Sequence, residues 1–501
     1  MSEITLAEGT ASRPLAELAG AGITVPLVQG GEARYVNLDY AASAPSLAQV
    51  VARVADVLPW YASVHRGSGY LSLVSTALYE SARATVRQFV GARDDDVVVF
   101  TRNTTDGLNL LVQAVPSGTP VVYLDIEHHA DILPWQRHLN HCVRAGATWA
   151  ETAQRLGQAL DQHPGALLAI TGASNVTGEL VPLPAVVAMA HERGARVVVD
   201  AAQLAPHRPI DLSRMGADFI AFSGHKCYAP FGVGVLVGRR DWLDEAPAYL
   251  AGGGAVETVT IERTNWARSP ARHEGGTPNF IGAVALAEAS LVLSELFASG
   301  ATEAHETVLR RRLLAGLGRL EGVRALQIWP DAAEAVGIVA FDVEGHEAGL
   351  VAACLSGEYG VGVRDGKFCA HPLLARLNFG QGALRASFGL GTTTDDIDRL
   401  IEAVTQYLQH GPRHSYTRHD RWFIPEGDDR LPPSLSSTWR APASRPPRSV
   451  EDHTLREQQA AVGPRLSSSR SFPSGPAQPR LPSDDRALGP HDGAGKTRGE
   501  N

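Results

Sequence analysis

The chain reads as an α/β protein built on a mainly parallel sheet, and three observations point there. Short apolar runs at 97–100, 121–124, 167–170, 197–199, 219–222 and 233–237 have the length of buried strands. Between several of them lie amphipathic segments of helical period, such as 184–192. The residues with the most chemistry fall directly after the apolar runs, where open parallel sheets bind ligands.

Taken in order, the run 97–100 leads into Thr101-Arg102-Asn103-Thr104-Thr105-Asp106-Gly107 and then an apolar helix start. Hydroxyls and free N–H groups at a helix N-terminus suit a phosphate, and equally an ordinary cap. After 121–124 comes Glu127-His128-His129. This pair reads as a polar loop, as metal ligands, or as a flat imidazole that stacks on a ring. Neither His nor carboxylate at zinc-like spacing accompanies it. After 167–170 comes Ser174-Asn175-Val176-Thr177-Gly178, where Asn175 reads alone as a turn asparagine. The run 197–199 ends in Asp200-Ala201-Ala202-Gln203, and 219–222 runs into Ser223-Gly224-His225-Lys226. Gly232-Val233-Gly234 is expected inside a strand and opens no helix, so it is no dinucleotide fingerprint. Farther on, Thr394-Asp395-Asp396 is expected to cap a helix whose apolar positions are Ile397, Leu400, Ile401, Val404 and Leu408.

Lys226 is the most informative of these residues. Glycines around it let the backbone approach a phosphate closely. An aspartate at one strand end and a lysine at the next are the two groups a pyridoxal phosphate enzyme needs. The lysine makes the Schiff base, and the aspartate pairs with the pyridinium nitrogen.

Composition sets the bounds. The 501 residues are 44% hydrophobic and 20% charged, enough for a core and more than one domain. A net charge of −9 and a pI near 6.1 imply no attraction to nucleic acid or membrane. Met1-Ser2-Glu3-Ile4-Thr5 lacks a basic n-region and an apolar h-region, so a signal peptide is not expected. The uncharged stretch 107–124 is broken by Pro116, Ser117, Gly118 and Pro120, so it is not a membrane span. The four cysteines, Cys142, Cys227, Cys354 and Cys369, form no CxxC pair, and a reducing cytoplasm is the expected location. After about residue 430 the composition turns to proline, serine and arginine, with eleven of the 31 prolines and only Trp439 and Phe472 as aromatics. Such a segment buries too little to fold, and 435–501 is expected to be a disordered tail.

In combination and in order, these motifs resemble the class V aminotransferase group of fold-type I pyridoxal phosphate enzymes, and within it the cysteine desulfurase and selenocysteine lyase branch. The resemblance spans about 37–408. It includes Leu38-Asp39-Tyr40-Ala41-Ala42-Ser43-Ala44, Val64-His65-Arg66-Gly67, Asn103-Thr104-Thr105, Glu127-His128-His129-Ala130 with Pro134-Trp135-Gln136, Ser174-Asn175-Val176, Asp200-Ala201-Ala202-Gln203, Ser223-Gly224-His225-Lys226, Gly275-Gly276-Thr277-Pro278 and Arg385-Ala386-Ser387.

The resemblance implies a large domain at 51–300 with a seven-stranded-type sheet that binds the cofactor. It also implies a smaller α+β domain at 301–410, joined by 1–50 and followed by an extension at 411–434. It makes Lys226 the imine lysine and pairs Asp200 with the pyridinium nitrogen. Gln203 bonds the phenolic oxygen, with Asn175 nearby, and His128 stacks on the ring. Thr104, Thr105, Ser223 and His225 hold the phosphate, with Thr277 from a second subunit of a homodimer. Arg385, with Asn175 beside it, takes the substrate carboxylate. Cys369, in Arg364-Asp365-Gly366-Lys367-Phe368-Cys369-Ala370, matches the family's catalytic cysteine, and its cationic neighbours favour a thiolate. The implied activity turns L-cysteine into L-alanine and an enzyme persulfide, which a sulfur-acceptor protein would unload. Gly67-Ser68-Gly69-Tyr70-Leu71-Ser72, Lys367-Phe368 and Gly389-Leu390-Gly391-Thr392 depart from the family pattern on the substrate side. They leave open transamination, epimerisation or C–S lysis of another amino acid.

Overall fold

Seven strands make the larger sheet: β1 (Asp96–Thr101), β2 (Val121–Leu124), β3 (Asn140–Val143), β4 (Leu167–Thr171), β5 (Arg196–Asp200), β6 (Phe219–Ser223) and β7 (Gly234–Arg239). The computed structural model describes residues 11–430, except Arg421 and Asp429. The expected tail at 435–501 lies outside the described residues.

The strand order is β1-β7-β6-β5-β4-β2-β3. β6, β5, β4, β2 and β3 pair in parallel, and β7 runs antiparallel to both β6 and β1. Both faces are buried, which is why the strands read as continuous apolar runs. Alternate side chains still separate by face. Val98, Val122, Leu168, Val197, Ile220 and Val235 belong to one core cluster. Val97, Val121, Leu167, Val198, Phe219 and Leu236 belong to another.

Two expectations shift here. The β7 strand begins at Gly234, so Gly232 and Val233 precede it. β3 was not anticipated: Asn-His-Cys-Val is short, mostly outside the core and at the sheet edge, so it lacks an apolar signal.

A second sheet joins β8 (Val323–Ala325), β9 (Ile338–Val343), β10 (Val361–Gly366) and β11 (Ala383–Ser387) with the short strand Val36–Leu38. Its order is β8-β9-β11-β10 and then Val36–Leu38, which alone pairs in parallel. Helices Ala301–Leu317, Ala348–Tyr359 and Thr394–His410 supply Leu309, Leu313, Val351, Leu355, Leu400 and Val404 to a core shared with this sheet. The last of these helices begins one residue earlier than expected. Thr393 is its cap and makes a reciprocal capping box with Asp396.

Helix Phe280–Ala298 is long and apolar enough to cross a membrane. The sequence reading did not single it out. Phe280, Ala283, Val284, Leu286 and Leu293 are buried within the chain, which accounts for its apolarity as a core helix.

Candidate active site

Strand register assembles the first half of the site. Thr171 and Asp200 end β4 and β5 side by side, and Asp200 pairs with Ala221, two residues before β6 ends at Ser223. Gly234 opens the reversed strand opposite both Ser223 and Thr101. A Cβ on Gly234 would come 2.5 Å from the Asn103 Cα, so only glycine lets the two segments meet. Ser223 Oγ accepts the Thr104 N–H at 2.8 Å and lies 2.7 Å from Thr104 Oγ1. Thr104 and exposed Thr105 open the helix Thr104–Ala114, capped by Asn103, whose side chain accepts the Asp106 N–H. Hydroxyls and a helix N-terminus thus converge beside the lysine loop, a donor set suited to phosphate.

Lys226 follows β6 in a turn held by its own N–H to the Ser223 carbonyl, 3.2 Å. Burial pushes its ammonium below the ordinary value. Asp200 opposes that shift, and Arg385 adds to it. The amine is therefore biased toward its neutral, nucleophilic form. Asp200 accepts the Ala202 N–H at 2.9 Å. Burial raises its carboxyl, and Lys226 pulls it back. Gln203 donates to the Ala41 carbonyl at 2.8 Å, while its buried Oε1 has no partner. His225 is half-buried, and burial, then Lys226, lower its imidazole to about 4. His128 is lowered to about 3 by burial, with Lys226, His129 and Arg385 contributing. Its Nδ1 accepts the Ala130 N–H at 3.0 Å, so this ring is neutral and flat, fit for stacking.

Two buried carboxyls that the sequence did not single out stand nearby. Glu127 accepts the Thr171 N–H and Asp131 accepts the Trp135 indole N–H. Burial raises both above the ordinary carboxylate range, and the Asp200 charge adds to each, which favours their protonated forms.

The second half comes from the smaller sheet. Arg385 on β11 is buried; it donates to the Asn175 carbonyl at 2.8 Å and to Asp39 Oδ1 at 3.0 Å. Its Nε has no partner. The guanidinium carbon lies 5.1 Å from the Phe368 ring centroid. Burial lowers this arginine, and Asp39 compensates.

Cys369 is exposed, in the turn after β10. Phe368 and Cys369 both hold positive φ, 54° and 53°. That conformation costs about 1–3 kcal/mol per residue and persists only where surrounding contacts enforce it. Asn175 Nδ2 donates to the Phe368 carbonyl at 2.7 Å, and the His129 N–H donates to the Cys369 carbonyl at 2.9 Å. Cys369 shares an electrostatic neighbourhood with Lys226 and Arg385.

The structure therefore brings together Lys226, Asp200, Arg385, Asn175, His128 and Cys369, and joins Thr104 to Ser223. Thr277 is exposed, ahead of helix Phe280–Ala298. Among the described residues, His/Cys/Asp/Glu groups able to hold a metal are absent. The donor set fits pyridoxal phosphate on several grounds: a buried amine biased neutral, a buried carboxyl in the neighbouring strand, an unpartnered buried Gln203 oxygen, and hydroxyls at a helix N-terminus.

The family model for aminotransferase class-V matches residues 36–400. A cysteine desulfurase of Klebsiella pneumoniae (strain 342) is 38% identical over 384 residues, 73% of this chain and 92% of that protein. A probable cysteine desulfurase 2 of Mycobacterium leprae (strain TN) is 39% identical over 363 residues, 69% of this chain and 85% of that protein. Among solved structures, the apo cysteine desulfurase of Thermococcus onnurineus NA1 matches with a TM-score of 0.69 and 31% identity, covering 75% of this chain and 95% of that one. The Escherichia coli cysteine desulfurase CsdA, in its S-sulfonic acid form, matches with a TM-score of 0.66 and 32% identity, over the same shares. The lysine, aspartate and arginine constellation and these similarities agree: the chain belongs to the class-V aminotransferase family.

Proposed function

We propose that this protein is a pyridoxal phosphate-dependent cysteine desulfurase, converting L-cysteine to L-alanine and leaving the sulfur as a persulfide on Cys369. The observation that carries the reading is the exposed Cys369, held by the His129 N–H, with Asn175 bonded to the preceding Phe368 carbonyl, within the field of Lys226 and Arg385. When bound, pyridoxal phosphate supplies an electron sink for charge developing at the substrate Cα. Thr104, Thr105, Ser223 and His225 would hold its phosphate, Asp200 and Gln203 its ring, and His128 its face.

The other tasks fall to this chain's own side chains. Arg385 holds the substrate carboxylate, and Asn175 braces Arg385 through its carbonyl. The Lys226 amine, biased neutral by burial, takes the Cα proton and later returns one. The Cys369 thiolate attacks the substrate sulfur, so an S–S bond forms as the C–S bond breaks. L-cysteine and the thiol thus become L-alanine and the persulfide, with every atom accounted for.

The same reading includes a homodimer in which Thr277 serves the phosphate of a second copy, a sulfur-acceptor protein, and a cytoplasmic location. It assigns 51–300 to the cofactor and 301–410 to a smaller domain. An assay of sulfide and alanine from L-cysteine is the test. Equimolar alanine and reducible sulfur support the desulfurase. A keto acid, a racemised amino acid or pyruvate would instead identify a transaminase, epimerase or C–S lyase of this family.

A further inference from the structure

The segment around Cys369 is fastened from both sides by one residue. The backbone N–H of His129 donates to the Cys369 carbonyl at 2.9 Å. Its ring Nε2 accepts the His371 N–H at 3.3 Å, and the two imidazoles meet edge to face at 4.5 Å. Asn175 secures the residue before the cysteine, and the Ala370 N–H closes the turn onto the Lys367 carbonyl at 2.9 Å. Phe368 and Cys369 keep their left-handed backbone inside this clasp.

We propose that His129 is a positioning residue: its imidazole fixes the chain after Cys369 and so sets where the thiol stands relative to the substrate sulfur. The inference rests on the desulfurase reading. The bond requires an unprotonated Nε2. Burial, and next His371, lower this imidazole from its ordinary value and keep that lone pair available. His128, one residue earlier, turns its Nδ1 to Ala130 instead, so the adjacent histidines have separate tasks.

The test uses the holoenzyme in a Cys142→Ser background, because Cys142 and Cys369 are the two exposed thiols among the described residues. His129→Phe keeps a flat ring against His371 but removes the acceptor. His129→Gln restores an acceptor without the ring. In His129→Phe the cofactor's visible absorbance and the KM for L-cysteine should hold, while kcat falls by about tenfold to a hundredfold, as expected for a misplaced reacting group. Alkylation of Cys369 by iodoacetamide should accelerate. His129→Gln should recover most of both properties. In the unsubstituted enzyme the His371 amide should exchange slowly with solvent, a readout that needs no variant.

Unchanged kcat and alkylation in His129→Phe would overturn the proposal. So would a loss of cofactor absorbance that tracks kcat, since His129 would then act on the cofactor. Cys369→Ala is assayed in parallel. If it makes alanine at the normal rate, the desulfurase reading itself fails; if it is inactive while His129→Phe is normal, only the positioning role fails.

Discussion

The two halves of the site are built in different ways. The proposed cofactor floor, Asp200, Ser223 and Lys226 with Thr104, comes from neighbouring strand ends of one sheet, and its parts meet through lateral register. The proposed substrate wall comes from segments hundreds of residues apart. Arg385 meets Asp39 and Asn175, and Asn175 meets Phe368. The floor is held by backbone pairing within one sheet, and the wall by a few side-chain hydrogen bonds that close on one another. Damage to the floor should therefore remove chemistry and leave the fold, whereas damage to the wall should change substrate handling in graded steps.

The largest expected effect tests the floor. Lys226→Ala should lower turnover by at least the ~10²–10⁴-fold of a positioned proton-transfer group, with far-UV circular dichroism unchanged. Normal turnover would remove the basis of the pyridoxal phosphate reading. Next, Cys369→Ser tests the wall. The serine hydroxyl nearly matches the thiol in size but does not ionise near neutral pH. Alanine formation should fall by orders of magnitude while L-cysteine still binds, as a shift in the cofactor's absorbance would report. Wild-type alanine formation would make Cys369 a packing residue.

Arg385→Lys sharpens the contrast further. A lysine keeps the charge but loses the planar fork that bonds Asp39 and Asn175 and that is proposed to hold the substrate carboxylate. One charge-assisted hydrogen bond is worth about 1.5–3 kcal/mol, so kcat/KM should drop by roughly tenfold to a hundredfold, mainly through KM. An unchanged KM would separate Arg385 from the substrate carboxylate.

The histidines predict a pH dependence of stability. His128 and His225 are lowered from 6.5 to about 3 and about 4, so the unfolded chain binds protons that the folded site refuses. Their effect is fully favourable above pH 6.5 and is lost as pH falls toward those lower values. Melting temperature should decline along that limb, and His225→Asn should flatten part of it. An identical decline in that variant would assign the limb to other groups. The smallest effect lies outside the site: Thr393→Ala should cost about 1 kcal/mol by removing the capping box, a drop of a few degrees in thermal melts.

Sequence reading succeeded where neighbours along the chain are also neighbours in space. The alternating runs located six of the seven strands in the larger sheet, and each named floor residue lies at or just past the end of one of them. Contacts without a local signature stayed hidden. Nothing near Arg385 announces Asp39, because their proximity depends on Val36–Leu38 joining the second sheet. Asn175 reads alone as a turn residue, and by resemblance as a neighbour of cofactor and substrate, but nothing local announces that it secures the cysteine loop through the Phe368 carbonyl. Glu127 and Asp131 carried no reading of their own, yet both are buried carboxyls in the field of Asp200. The edge strand Asn140–Val143 lacked an apolar pattern because little of it lies in the core, and the cap at Thr393 was misplaced by one residue among adjacent threonines.

The Asp39–Arg385 bond spans 346 residues, and that separation sets an order of events on the ribosome. At a synthesis rate of about 5–20 residues per second, Arg385 is made roughly 17–70 s after Asp39. By then all the strands that carry Asp200 and Lys226 have long been made. A nascent chain could thus hold a finished cofactor floor while still lacking its arginine. If Arg385 holds the substrate as proposed, substrate binding must wait until nearly the whole described chain has emerged.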